Sequence, residues 1–204
     1  MGAIRNSIAA RVDSGTAPTW VNEAQWKRVK KLYANWNYAP LWLEPDGVRD
    51  RATALLKALE EAPQHALDTD AYPLDSIRRV VSEDKLDNKD TPASLAEADV
   101  VLTAAYAAYA HDMLVGQIDP KSVAQSWHIP PRQSEVDSAL VRTLQSPSMD
   151  EGLATMAPQD EGYAQLTQEY ARYQQIVAAG GWRELEGTGA RRALIAERLR
   201  AEGF

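Results

Sequence analysis

Apolar residues recur along this chain at helical spacing, and alternation of apolar and polar neighbours is nearly absent. Ile4, Ile8 and Val12 predict a first short helix. Asn22 and Gln25 have the spacing of a capping box, so a second helix is expected to begin there. Its predicted apolar face consists of Trp26, Val29, Tyr33 and Trp36. The same spacing predicts further helices within residues 48–63, 73–81, 134–144, 163–177 and 188–201, and a short one after Ser148.

The longest predicted helix runs from Thr91-Pro92 to Gly116. It is rich in alanine, and small side chains allow neighbouring helices to approach closely. We therefore expect this helix to lie at the centre of the core, with Leu102 among the buried residues.

Two segments lack helical spacing. Residues 37–44 are predicted to be extended, because Pro40 disfavours helical backbone at Ala39. Residues 118–132 are predicted to be irregular and end in Trp127-His128-Ile129-Pro130-Pro131-Arg132. Two prolines make that end rigid, and Trp and Arg often anchor protein interfaces. Trp127, His128 and Arg132 are therefore candidate residues of a partner interface; in the alternative interpretation, Trp127 fills a gap between helices.

These patterns predict an all-α fold: a single compact multi-helix domain of about eight to ten helices. Residues 1–182 would form the main helical domain, and residues 183–204 a C-terminal helix.

Composition narrows the possible functions. The 204 residues carry 29 acidic and 22 basic side chains, a formal net charge of −7, so binding of nucleic acid through a basic surface is not expected. The chain has no cysteine, which excludes a cysteine nucleophile and thiolate metal sites within it. No secretory signal is visible near the N-terminus, and the most apolar run, residues 98–110, is far shorter than the roughly 20 residues that a membrane span needs.

Catalytic motifs are weak. His65, His111 and His128 are far apart and lack the spacing of a metal-binding motif, so no metal or cofactor is expected. Ser82 and Lys85 match the Ser-x-x-Lys pattern of penicillin-binding proteins, but its companion motifs are missing. Glu97 and Glu161 could in principle form the carboxylate pair of a glycosidase, although each fits better as an exposed helical residue. No catalytic residue is assigned.

Several segments together resemble the N-terminal scaffold region of the large periplasmic L,D-transpeptidases of Gram-negative bacteria. The similar segments are LYANWNYAPLWL at 32–43, ALLKALEEAPQHALDTDAY at 54–72, LAEADVVLTAAYAAYAHDMLVGQIDP at 95–120, WHIPP at 127–131 and the stretch 163–182. Their order and spacing are more specific than any one of them. The chain departs from the family pattern at Ala66, where a glycine is expected, and at Gln174, where arginine is frequent.

The resemblance implies a periplasmic, cell-wall context without activity in this chain. It also implies that the C-terminal helix at 183–204 leads towards a peptidoglycan-binding-like module. The family's catalytic domain uses a cysteine nucleophile, and nothing in this sequence replaces it. The first hypothesis is a non-catalytic scaffold domain that positions the catalytic and glycan-binding parts of a transpeptidase. The alternative is a stand-alone helical protein that binds a cell-wall enzyme or peptidoglycan itself. A helical hydrolase with paired carboxylates is the third interpretation.

Overall fold

Helix α5, Pro92–Leu114, is the longest helix among the described residues and is buried on most of its surface. Its middle is dominated by alanines, which let helices α1, α2 and α7 pack closely against it. The computed structural model describes residues 2–44, 47–48, 50–82, 91–129, 135–181 and 187–203. Within these residues there are ten α-helices, so the predicted all-α class and number of helices are confirmed.

The helices follow one another with few long connections. Before α5 the chain forms α1 (Gly2–Ser14), α2 (Glu23–Asn35), α3 (Asp50–Glu61) and α4 (Leu74–Ser82). After α5 come α6 (Pro120–Val123), α7 (Val136–Gln145), α8 (Met149–Ala154), α9 (Glu161–Ala178) and α10 (Gly187–Ala201). Two short 3-10 helices, Ala62–His65 and Thr69–Ala71, connect α3 to α4. A two-residue antiparallel pair, β1 (Leu43–Glu44) with β2 (Gly47–Val48), precedes α3.

The chain divides into two compact units, Met1–Gln159 and Asp160–Phe204. The domain boundary predicted at residue 182 lies outside the described residues and stays a prediction. The first unit contains the hydrophobic core, which includes the predicted apolar residues Ile8, Val29, Tyr33 and Leu102. In the second unit, the side chains of the predicted apolar face of α9 are mostly exposed to solvent. Leu166 and Val177 are each 71% exposed.

The N-terminus of α2 carries the capping box that its sequence predicts. The Asn22 side chain accepts a hydrogen bond from the Gln25 amide at 2.9 Å, and the Gln25 side chain accepts one from the Asn22 amide at 3.0 Å. These bonds satisfy two donors of a helix end that otherwise has no internal partners.

A cluster of buried polar groups joins the segment after α2 to α5. The carboxyl group of Asp99 accepts hydrogen bonds from the backbone amides of Leu41 at 3.0 Å and Trp42 at 2.9 Å, and from the Tyr33 hydroxyl at 2.7 Å. One turn further along α5, the Thr103 hydroxyl accepts from the Trp42 indole N–H at 2.8 Å. Asp99 and Thr103 are both fully buried, so α5 supplies in the interior the acceptors that the non-helical segment needs.

This cluster explains a partial error in the prediction for residues 37–44. Asn37 and Tyr38 adopt left-handed backbone conformations, with φ of 50° and 54°. They end α2 and reverse the chain, and only the residues after them lead to the short strand β1. The turn directs Leu41 and Trp42 onto Asp99.

Substitution of Leu102 tests the assigned hydrophobic core. Its side chain is fully buried on α5, and we expect Leu102→Ala to lower the free energy of unfolding by about 2–5 kcal/mol. Chemical denaturation monitored by circular dichroism measures this loss. The same change at Leu166, which is 71% exposed, is the control and should cost less than about 0.5 kcal/mol. Similar midpoints for Leu102→Ala and the unmodified protein would contradict the assigned core.

Ala66 offers a second test. It caps the 3-10 helix Ala62–His65 with a φ of 57°, in the left-handed region that disfavours a Cβ atom. Glycine adopts this conformation without steric cost. We expect Ala66→Gly to stabilise the protein by about 0.5–1 kcal/mol in thermal or chemical denaturation. The same substitution at Ala34, an exposed position in α2, should instead destabilise by about 1 kcal/mol. Loss of stability on Ala66→Gly would contradict the argument.

Candidate interaction surface

The segment of residues 118–129 carries large apolar side chains in solvent. Ile118, Val123 and Ile129 are 65%, 77% and 64% exposed, and Trp127 is 41% exposed. Within the first unit, these four are the described large apolar side chains that remain exposed. Because the other described large apolar side chains of that unit are buried or half-buried, this segment is its candidate interaction surface.

The segment follows α5 through a turn at Gly116, whose φ of 115° favours glycine. Asp119 then begins the short helix α6: its carboxylate accepts from the Lys121 amide at 3.0 Å, and Pro120 occupies the first turn. The predicted irregular segment therefore contains one helical turn. Beyond it, the Trp127 amide donates to the Ala124 carbonyl at 2.9 Å, so local backbone bonds order the chain around the exposed indole.

A cluster of hydrogen bonds fixes the base of the segment to the core. Gln117 donates to the Asp68 carbonyl at 3.0 Å and accepts from the Asp68 amide at 2.7 Å. Its side chain also donates to Asp112 at 3.3 Å, and the Tyr72 hydroxyl donates to the same carboxylate oxygen at 2.7 Å. The exposed apolar segment thus projects from a hydrogen-bonded base.

The environment of Tyr72 shifts its ionisation. Burial, and then the negative charge of Asp112, raise the pKa of the Tyr72 hydroxyl well above its usual value of about 10. The folded protein therefore keeps this proton at pH values where the unfolded chain loses it.

The structure describes two of the three predicted interface residues. Trp127 and His128 lie together on the exposed segment, and Trp127 is absent from the buried core cluster. Arg132 lies outside the described residues, as do Pro130 and Pro131. The role of this group in binding a partner stays a prediction.

The other candidate chemical groups have local structural partners or lie outside the described residues. Glu97 forms an ion pair with Arg11 at 2.5 Å, which joins α5 to α1. Glu161 lies in the first turn of α9 and accepts a hydrogen bond from Gln165 at 3.0 Å. Lys85 of the Ser-x-x-Lys match is outside the described residues.

His111 lies 3.3 Å from Asp112 through its Nδ1 atom, within the cluster at the base of the candidate surface. The described residues contain no group of three or more His, Asp or Glu side chains placed to hold a metal ion. None of their helices is both long and apolar enough to span a membrane.

The chain matches a known protein family. The model of the Scaffold domain family matches residues 27–169, which is most of the chain, and the chain belongs to this family. The matched region includes the two polar clusters on α5 and the candidate interaction surface. Neither the curated proteins nor the solved structures gave a match.

Sequence reasoning missed the polar clusters because it assigned no role to Asp99 or Asp112. One signal was present: the two acids flank the largely apolar run of residues 100–110 in the longest helix. A carboxylate in an apolar helix that is buried on most of its surface requires hydrogen-bond donors nearby.

The ionisation of Tyr72 predicts a pH dependence. Above about pH 10 the unfolded chain releases the proton that folded Tyr72 retains, so the free energy of unfolding should fall as the pH rises. Tyr72→Phe should lower stability at neutral pH, by about 1.5–3 kcal/mol for the lost bond to a charged acceptor, and should make the alkaline decline less steep. Urea denaturation from about pH 8 to 11 measures both effects. An unchanged alkaline slope in Tyr72→Phe would contradict this assignment.

Proposed function

We propose that this chain is the non-catalytic scaffold domain of a periplasmic peptidoglycan L,D-transpeptidase. In this role it positions the catalytic and glycan-binding parts of the enzyme while peptide stems are cross-linked. The observation that carries the proposal is the match of residues 27–169 to the Scaffold domain family, in a region that contains most of the segments by which the sequence resembles those enzymes.

The absence of cysteine supports a non-catalytic role. Acyl transfer in these enzymes requires a thiolate nucleophile, and this chain has none to supply. The cross-linking reaction in the proposal therefore belongs to a separate catalytic domain.

The exposed segment 118–129 supplies a surface for that catalytic domain. Its apolar side chains are costly to keep in water unless a partner covers them, and its base is held by the hydrogen bonds of Gln117. An ordered surface loses little conformational entropy on binding. Trp127, with its large apolar area, is the residue that we expect to anchor the contact.

The alternative function, a stand-alone protein that binds a cell-wall enzyme or peptidoglycan, would use the same exposed residues. The two functions differ in the partner and in whether binding supports cross-linking. One set of measurements separates them.

The experiment combines the purified chain with a cysteine-bearing L,D-transpeptidase catalytic domain from the same organism. Calorimetry measures their affinity, and mass spectrometry of muropeptides measures cross-linked product. The chain alone should form no product, and it should bind the catalytic domain and increase the cross-linked product that this domain forms. Trp127→Ala should weaken that binding at least about fivefold, which corresponds to about 1 kcal/mol, while the melting temperature stays unchanged.

Tyr170→Ala is the matched control, because Tyr170 is 39% exposed, close to the value for Trp127, but lies in the second unit. It should leave the affinity unchanged. Binding to isolated peptidoglycan without binding to the catalytic domain would favour the alternative function. Absence of binding to both, or cross-linked product from the chain alone, would contradict the proposal.

A further inference from the structure

A groove separates α2 from α7 on the surface of the first unit. The α2 side is formed by Arg28, Lys31, Leu32 and Asn35, and the α7 side by Asp137, Ser138, Leu140, Val141 and Arg142. The residues from α2 span two helical turns, about 10 Å. The cavity volume is about 310 Å³, which is within the range of sites that bind small ligands or short peptides.

The floor of the groove is apolar. Leu32 and Leu140 are buried beneath it, and Val141 is half-buried at its edge. An apolar side chain of a ligand could displace water from this floor with a gain in free energy.

The rim of the groove is positively charged. Asp137, the carboxylate of the lining, lies 3.4 Å from Arg28 and 2.6 Å from Lys31, so it connects α7 to α2. Arg142 forms no ion pair with any residue that the structure describes. With three cationic side chains and one carboxylate, the lining has a net positive charge, although the whole chain has a net charge of −7.

This combination favours one class of ligand. Nucleic acid requires a longer basic surface than two helical turns, and a bare inorganic anion gains nothing from an apolar floor. A short acidic peptide with an apolar side chain between its carboxylates matches both features. The Asn35 side-chain amide can donate to its backbone carbonyls, and the Ser138 hydroxyl, which donates to Glu135 at 3.0 Å, can accept from a backbone N–H.

We propose that the groove between α2 and α7 binds an acidic peptide segment of a partner protein, with carboxylates on Arg28, Lys31 and Arg142 and an apolar side chain on Leu32 and Leu140. This site is separate from the segment 118–129 and does not depend on the function proposed above.

Fluorescence anisotropy at about 0.15 M ionic strength, where charges more than about 8 Å apart are largely screened, tests the proposal with the labelled peptide Glu-Leu-Glu-Glu-Leu-Glu. Two control peptides replace either the glutamates by glutamine or the leucines by serine. The first peptide should bind at least about fivefold more tightly than either control, because each control removes one of the two matched features.

Variants locate the binding. Lys31→Glu combined with Arg142→Glu should weaken binding at least about tenfold. Lys27→Glu combined with Lys30→Glu makes the same change of charge on the same surface, at exposed residues of α2 that do not line the groove, and should change the affinity by less than about threefold. Arg142→Gln provides a variant that breaks no described ion pair, and it should weaken binding with an unchanged melting temperature.

Four results would overturn the proposal. They are absence of binding by the acidic peptide, equal binding of the glutamine peptide, equal binding of the serine peptide, and equal losses in the two charge-reversed pairs. The last two results would indicate that anions are attracted to the basic surface in general and that the groove binds no specific peptide.

Discussion

The fold of the first unit depends on one buried carboxyl group. Asp99 lies fully inside the core on α5 and accepts hydrogen bonds from the Leu41 and Trp42 amides and the Tyr33 hydroxyl. Burying a carboxyl group is unfavourable unless it has such donors, and the backbone of an irregular segment needs acceptors in return. The hydrogen bonds between Asp99 and the Leu41 and Trp42 amides meet both requirements. Trp42 is then fixed in the core, where it packs edge-on against Tyr106 at 5.6 Å between ring centroids.

A second acid on α5 has a similar role at the other end of the helix. Asp112 accepts from Tyr72, which precedes α4, and from Gln117, which follows α5. Each acid thus joins α5 to a segment that comes earlier in the chain. The segments linked in this way, 32–43 with 95–120 and 54–72 with 95–120, lie within the match to the Scaffold domain family. These hydrogen bonds therefore join parts of the matched region that are far apart in sequence. The rigid base of the candidate interaction surface is a consequence of the second cluster.

Much of the helical structure could be predicted from sequence, because apolar spacing and capping residues are local. The capping box of Asn22 and the central position of α5 are examples, and both are confirmed. The roles of Asp99 and Asp112 could not be predicted in this way, because local patterns place acids on the surface. The exposure of the apolar face of α9 and the groove between α2 and α7 are also non-local, since neither spacing nor composition says which helix covers which face. Trp127 was found by its residue type and its rigid context, while its exposure required the structure.

Native-state hydrogen exchange at the Leu41 and Trp42 amides tests the central claim most directly. These amides lie in a non-helical segment and donate to the side chain of Asp99, so only the Asp99 bonds and burial protect them. If Asp99 organises this part of the core, both amides should exchange as slowly as the central amides of α5, through global unfolding. In Asp99→Asn, which keeps the size but presents an amide donor in place of one carboxyl oxygen, their protection should fall at least about tenfold more than that of the α5 amides. Fast exchange of Leu41 and Trp42 in the unmodified protein, at rates typical of exposed turns, would contradict the account.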